Sequence, residues 1–353
     1  MKEFWSSRIR DMVPYTPGEQ PRGRTFIKLN TNENPYPPAP GALEAIRAAA
    51  NGDLRLYPDP EATELRRALA DFHGVSPEQV FVGNGSDEIL AFCFAAFFGP
   101  EQPVVFPDVT YSFYPVYAGL FQTPYREIPL RPDFTVPVEE FLGNNGGVIL
   151  PNPNAPTGIA LSLDEVERLC TGNPERAVVI DEAYVDFGTQ TALPLLERCP
   201  NLLVVRTMSK SRALAGMRLG YAVGSPNLIA ALRCVKDSFN SYTLDRVALA
   251  AAKASVEDRD YFAQTCARIA ATREKTTQRL KELGFELCPS LANFLFVRFP
   301  GKSGKELLDG LREAGILVRW WGQERVCDYL RISIGTEEEM DTLVETLRQL
   351  TAQ

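Results

Sequence analysis

Short apolar, β-branched runs separated by amphipathic stretches constrain the fold of this chain most. The runs at Pro103–Phe106, Gly147–Pro151, Ala177–Asp181, Asn201–Arg206 and Leu219–Val223 have almost no polar alternation, so each strand they form must be buried on both faces, as in a parallel sheet covered by helices. Segments such as Ser162–Cys170 between them carry helical spacing, and the alternation predicts a layered α/β/α domain. An extended, Pro-rich arm, Met1–Pro40, comes first. Beyond a long helical pattern at Leu244–Leu283, the segments FELCPS, ANFLFVRF and YLRISIGT read as strands, with helices at Lys305–Ala314 and Glu337–Leu350. The expected organisation is an arm (1–40), a large α/β domain with a mainly parallel sheet (41–245) and a smaller α+β domain (246–353) to which the arm contributes; 353 residues suffice for two cores or one large one.

In open α/β sheets, ligands bind at the carboxyl ends of the strands. There, Thr207, Ser209 and Lys210 follow the run NLLVVR. A partly buried lysine beside other cations keeps some of its amine neutral and can form a Schiff base with an aldehyde. By itself a Ser-Lys pair after a strand is usually a solvated lysine, so partners carry the case. Asp181 closes a second buried run and could pair with a protonated ring nitrogen, although such aspartates also serve metal and nucleotide sites.

In QVFVGNGSDEIL (Gln79–Leu90), a strand turns through glycines into a helix for which Ser86 is the expected N-cap. Free amides at that helix start, with Asp87 close by, suit a phosphate; a capped helix after a tight turn is the plainer reading. Thr207, Ser209 and Arg218 would add hydroxyl donors and a permanent cation. Tyr111 could stack on a ring or be simple core, and Tyr184 could donate its phenol to a ring oxygen. Together these residues describe a clamp for a phosphorylated aromatic aldehyde.

The ordered blocks KLNTNENPYPPAP (Lys28–Pro40), LYPDP (Leu56–Pro60), GNGSDE (Gly83–Glu88), NPNAPTG (Asn152–Gly158), DEAYVDF (Asp181–Phe187), RTMSKSRALAGMRLGY (Arg206–Tyr221), ANFLFV (Ala292–Val297) and LRISIGT (Leu330–Thr336) resemble the fold-type I pyridoxal-phosphate aminotransferases, and more narrowly the histidinol-phosphate aminotransferases. The resemblance implies pyridoxal 5'-phosphate as cofactor, with Lys210 as Schiff-base lysine, Asp181 on the pyridine nitrogen, Tyr184 on the ring oxygen and Tyr111 stacked on the ring. It places Ser86, Asp87, Thr207, Ser209 and Arg218 around the cofactor phosphate, and Tyr57 at that phosphate in the neighbouring subunit of a homodimer. Arg331 would bind the acidic end of the substrate, with Tyr15, Asn32 and Arg319 in the same pocket.

The implied reaction is ping-pong transamination of histidinol phosphate with 2-oxoglutarate. Aromatic or other amino-acid aminotransferases, threonine-phosphate decarboxylases and a catalytically silent ligand sensor are the alternatives. Two departures stand out: Ala155 occupies a position where the family usually has asparagine, so that Asn154 or Tyr184 would have to compensate, and Tyr242 replaces a frequent asparagine.

A net charge of −8 offers no field for nucleic acid. No stretch approaches a membrane span, and the start MKEFWSSRIRDM lacks a signal peptide's apolar core, which makes the cytoplasm the expected location. Seven cysteines without paired spacing argue against a disulfide frame or zinc site. The single histidine, His73, reads as a surface helix terminus, and no multi-histidine metal site is expected.

Overall fold

The computed structural model describes residues 4–20 and 25–352; residues 1–3 and 21–24 of the expected arm lie outside that description. The five apolar runs form the strands Val104–Pro107, Val148–Pro151, Val178–Asp181, Leu202–Thr207 and Gly220–Gly224, buried along their whole length. They join Val80–Gly83 and Tyr125–Ile128 in a seven-stranded sheet, in the order Val80–Gly83, Gly220–Gly224, Leu202–Thr207, Val178–Asp181, Val148–Pro151, Val104–Pro107, Tyr125–Ile128. Only Gly220–Gly224 runs against its neighbours.

The pleat divides each strand between two cores. Val178, Ile180, Leu202 and Val204 pack on one face, in a cluster that includes Leu65 and Leu69 of the helix Thr63–His73 and Val166 and Leu169 of Leu163–Thr171. Val179, Leu203 and Val205 pack on the other, with Ile89 and Phe94 of Gly85–Phe97 and Leu232 of Pro226–Phe239. Two-sided burial is why these runs lack alternation.

A second, antiparallel sheet orders Arg319–Trp320, Leu330–Ser333, Phe294–Arg298 and Glu286–Leu287. Its core is filled by the helices Arg259–Glu282, Gly304–Glu313 and Glu337–Thr351. The arm's Ile27–Lys28 pairs in parallel with Ile316–Leu317.

Two expectations are corrected, and one strand is additional to those expected. The pattern at Leu244–Leu283 is two helices, Arg246–Glu257 and Arg259–Glu282: Asp258 ends the first and caps the second, its carboxylate accepting from the Tyr261 amide at 3.1 Å. Periodicity alone cannot see a break that costs a single residue. The edge strand Tyr125–Ile128 escaped notice because three of its four residues are exposed. His73 is half-buried rather than a surface terminus, with Nε2 2.9 Å from the Tyr221 hydroxyl; burial, then Arg206, Arg212 and Arg259, push its pKa down to about 3.

Truncating Leu203, fully buried in the sheet, should cost about 2–5 kcal/mol in denaturant unfolding; a loss within error would mean this face is not close-packed. As pH falls from the ordinary histidine value of 6.5 towards about 3, the unfolded chain binds a proton that folded His73 refuses, so stability is lost across that window. His73→Gln should flatten this part of the stability curve, and parallel curves for variant and wild type would contradict the burial of a neutral imidazole.

Candidate active site

Register brings the chemistry-bearing segments to one edge of the large sheet. Asp181 pairs with Val205, Thr207 with Gly220, and Gly220 in turn with Gly83, so the strand ends that lead to Asp181 and Lys210 sit beside the start of the helix Gly85–Phe97. Glycine is needed at two contacts there. A Cβ on Gly220 would lie 2.4 Å from the Ser86 amide nitrogen, and one on Gly85, which has φ +79°, 2.7 Å from Arg218 Nη2. The helix is preceded by Asn84, not Ser86; Ser86 lies inside its first turn, which corrects the expected cap and leaves the hydroxyl for the cavity.

A cavity of about 350 Å³ opens at this edge, and Ser86, Asp181, Thr207, Lys210, Arg218 and Arg331 all line it. Lys210 Nζ donates to the Thr31 carbonyl at 3.0 Å and stands 6.0 Å from the Tyr184 ring centroid. Burial, then the nearby Arg331, lower its pKa to about 8, against the opposing pull of Asp87 and Glu33. A useful fraction of the amine is therefore neutral near physiological pH.

Asp181 is buried, and its carboxylate accepts from the Ala183 amide at 3.1 Å. Burial drives its pKa up to about 7, against the pull of the Ala183 amide and with Asp87 adding to the rise, and among the described residues it makes no ion pair. Neighbouring Glu182 is treated differently: it faces buried Arg206 and accepts from the Ala192 amide at 2.6 Å and the Thr191 hydroxyl at 2.7 Å. The paired carboxylate holds the loop, and the unpaired one faces the cavity.

Asp87 links two other expected residues. It accepts from the Tyr111 hydroxyl at 2.7 Å and from Arg218 Nη2 at 3.1 Å, which fixes both the ring and the guanidinium at the cavity wall. Ser209 also lines the cavity, its amide held by the Thr207 hydroxyl at 3.1 Å. Hydroxyls, a helix start and an arginine make a cradle for a phosphate.

Arg331 and Arg319 stand opposite each other on adjacent strands and both reach the cavity. Arg331 Nη2 donates to the Asn30 carbonyl at 3.0 Å, while its buried Nε has no protein partner. Burial lowers its pKa, partly offset by Tyr184 and reinforced by Arg319. A half-buried, half-satisfied guanidinium beside a second one suits an anionic ligand. Tyr15 lines the same wall, stacked on Phe113 at 4.2 Å, and Asn32 donates to the Tyr184 hydroxyl at 3.0 Å.

Two expected residues lie elsewhere. The Asn154 amide donates to the Val109 carbonyl at 2.9 Å and the Thr157 hydroxyl at 3.2 Å and accepts from Thr110 at 3.0 Å. It is not among the cavity-lining residues, whereas Ala155 is. Asn154 is therefore spent on tying its loop to the Val109–Thr110 segment and does not reach the cavity in place of the missing asparagine. Tyr57 is 78% exposed, stacked on Tyr242 at 4.5 Å and outside the cavity of its own chain. Residues passed over by sequence reasoning include Thr31 and Asn34, which contact Lys210, and fully buried Tyr114, close enough to Asp181 to draw its pKa down. Only the block containing Thr31 and Asn34 hinted at them.

Residues 24–347 match the family model described as aminotransferase class I and II. The chain is 55% identical to histidinol-phosphate aminotransferase 2 of Thiobacillus denitrificans, covering 98% of each chain, and 55% identical to the histidinol-phosphate aminotransferase of Chromohalobacter salexigens, covering 98% of this chain and 99% of that one. The crystal structure of the Sinorhizobium meliloti histidinol-phosphate aminotransferase in complex with pyridoxal-5'-phosphate superimposes with a TM-score of 0.85 at 30% identity, over 93% of this chain and 92% of that one. A Thermus thermophilus aspartate aminotransferase variant shares the fold, at 21% identity and TM-score 0.83 over 98% and 99% of the two chains.

In cofactor-free protein, pH-dependent acylation of Lys210 should titrate with a midpoint of about 8. Arg331→Gln removes a cation that disfavours the charged amine and should raise that midpoint. An ordinary lysine midpoint in wild type, or no change in the variant, would contradict the described electrostatics.

Proposed function

The chain belongs to the class I and II aminotransferases, and within them to the histidinol-phosphate aminotransferases, and on that premise we propose that it transfers the amino group of L-histidinol phosphate to 2-oxoglutarate with pyridoxal 5'-phosphate as cofactor. One observation carries the reading: a lysine amine, an unpaired buried carboxyl, a phosphate cradle and a half-satisfied arginine line a single cavity.

The residues fit the cofactor on their own chemistry. Asp181, pushed up by burial, becomes a stable carboxylate once a protonated pyridine nitrogen faces it. Ser86, Thr207, Ser209 and Arg218 would hold the phosphate, and Tyr111 the ring face. Tyr184 would hold the ring oxygen with Asn32 orienting its phenol, because alanine at 155 supplies no donor. Bound there, pyridoxal phosphate supplies a conjugated electron sink that accepts an amino group from one substrate and passes it to the next.

Lys210 Nζ carries the proton transfers: poised near neutrality, it takes the proton from the substrate carbon bearing the amine and later returns one to the product side. Arg331, with Arg319 and Tyr15, orients that carbon by binding the substrate's anionic end. A guanidinium accepts either a phosphate or a carboxylate through paired N–H donors, which lets one site serve both halves of the reaction.

The protein would work as a homodimer with Tyr57 reaching the partner's phosphate cradle. The exposure of Leu54, Leu56, Tyr57, Phe239 and Tyr242, large apolar side chains on this chain's surface, supports that arrangement. Its organisation into an arm (1–40), a cofactor domain (41–245) and a smaller domain (246–353) is part of the same proposal.

Histidinol phosphate should convert the bound chromophore to its amine form, and phenylalanine and threonine phosphate should do so far more slowly; equal rates would move the assignment to a broader aminotransferase. Arg331→Ala should cost about 2–5 kcal/mol in kcat/KM for histidinol phosphate, and an unchanged value would remove Arg331 from the substrate site. Lys210→Ala should abolish the borohydride-reducible cofactor band, and its persistence would overturn the reading.

A further inference from the structure

The half-buried side chain of Asn34 donates to two consecutive main-chain carbonyls, those of Lys210 at 3.0 Å and Ser211 at 3.2 Å. Its Oδ1 accepts from the Tyr36 amide at 3.0 Å. That third bond fixes the amide's orientation, since a flipped side chain would turn oxygen against two carbonyls and nitrogen against an N–H. Three residues earlier, the Thr31 carbonyl accepts from Lys210 Nζ at 3.0 Å. One short segment thus grips the lysine at both ends, at its main chain and at its amine.

The same segment is fastened to the strand that carries the anion-binding arginine. Asn30 O accepts from Arg331. Asn32, held at φ +55°, receives the Ser333 hydroxyl on its Oδ1 at 3.0 Å, gives its own amide to Ser333 Oγ at 2.8 Å, and passes its carbonyl to Asn293 at 3.0 Å. Asparagine adopts this left-handed conformation more readily than most residues, and here three hydrogen bonds to two side chains, Ser333 and Asn293, fix it. Beneath Lys210, the Ser211 hydroxyl donates to Asp186 at 2.6 Å, and Asp186 is paired with buried Arg206. The loop bearing the amine is therefore clamped from the sheet on one side and from the Asn30–Asn34 segment on the other.

From this geometry we infer that Asn34 is a positioning residue for Lys210, setting the reach of its amine relative to the Arg331 anion site without touching substrate or cofactor. The inference rests on the reading of Lys210 as the cofactor-bearing amine. Loss of the clamp frees the Lys210–Ser211 peptides to shift, and misplacement of a reacting group by about 1 Å costs about a hundredfold in rate. Substrate affinity, set at Arg331 and Arg319, is left largely intact. The charged groups facing the amine, Arg331, Asp87, Glu33 and Arg218, remain in place in Asn34→Ala and that variant adds no charge, so a change in its titration reports the amine's position, whereas Asn34→Asp adds a carboxylate with a field of its own.

The experiment compares wild type, Asn34→Ala, Asn34→Asp and Lys210→Ala as cofactor-loaded proteins. Asn34→Ala removes the donors, and the isosteric Asn34→Asp sets a carboxylate against two carbonyl oxygens. Expected are a kcat lowered about tenfold to a hundredfold, more in the aspartate variant, with KM changed less than about twofold. Cofactor content and Tm should match wild type, and the pH midpoint of the bound cofactor's visible band should move by about half a unit or more. Unchanged kcat and midpoint in both variants would overturn the clamp while leaving Lys210 assigned, provided Lys210→Ala loses its reducible band. A kcat falling only in step with lost cofactor or lowered Tm would reduce Asn34 to a structural role and overturn it too. A reducible band surviving in Lys210→Ala would remove the underlying reading, and this inference with it.

Discussion

At one open edge of the sheet stand Asp181, buried, and Lys210, half-buried, and neither has an ion-pair partner among the described residues. Holding an ionisable group out of water without a counter-charge is among the more expensive arrangements a protein can adopt. The two groups respond in opposite senses, the amine pulled down and the carboxyl pushed up, so that both come to titrate near neutrality. A site of this kind persists only because the surrounding sheet, packed on both faces, supplies stability from elsewhere.

The contrast with neighbouring charges is informative. Glu182, one residue from Asp181, and Arg206, four before Lys210, are both buried, but they are brought together and further satisfied by Asp186, Thr191 and Ala192. On adjacent strands, then, one pair of charges fastens loops and the next pair is left open to a ligand. The arginine side of the cavity repeats the pattern: Arg331 is positioned by one carbonyl while its Nε is left unsatisfied. Unmet hydrogen-bonding capacity, rather than cavity size, marks where a ligand belongs.

Much of this was legible in the sequence. Two-sided burial wrote itself as uninterrupted apolar runs, and strand ends pointed to Asp181, Thr207, Ser209 and Lys210; all four meet at one cavity. What escaped was whatever depends on a single hydrogen bond or on a register far along the chain. Asn154 and Ala155 are adjacent in sequence, yet only the alanine faces the cavity, because the asparagine's amide is captured by Val109 and Thr157. Asn34 meets Lys210 across 176 positions, a separation no local pattern encodes. Asp258 breaks a helical pattern with one capping bond, and His73 is buried by Tyr221, a strand residue 148 positions away.

The central claim is that a single amine, that of Lys210, holds the cofactor between the Asp181 carboxyl and the Arg218 cradle. Borohydride reduction of the loaded protein followed by peptide mapping tests it most directly. The account predicts one pyridoxyl-modified peptide, with the added mass on Lys210; modification of any other lysine, or none, would contradict it.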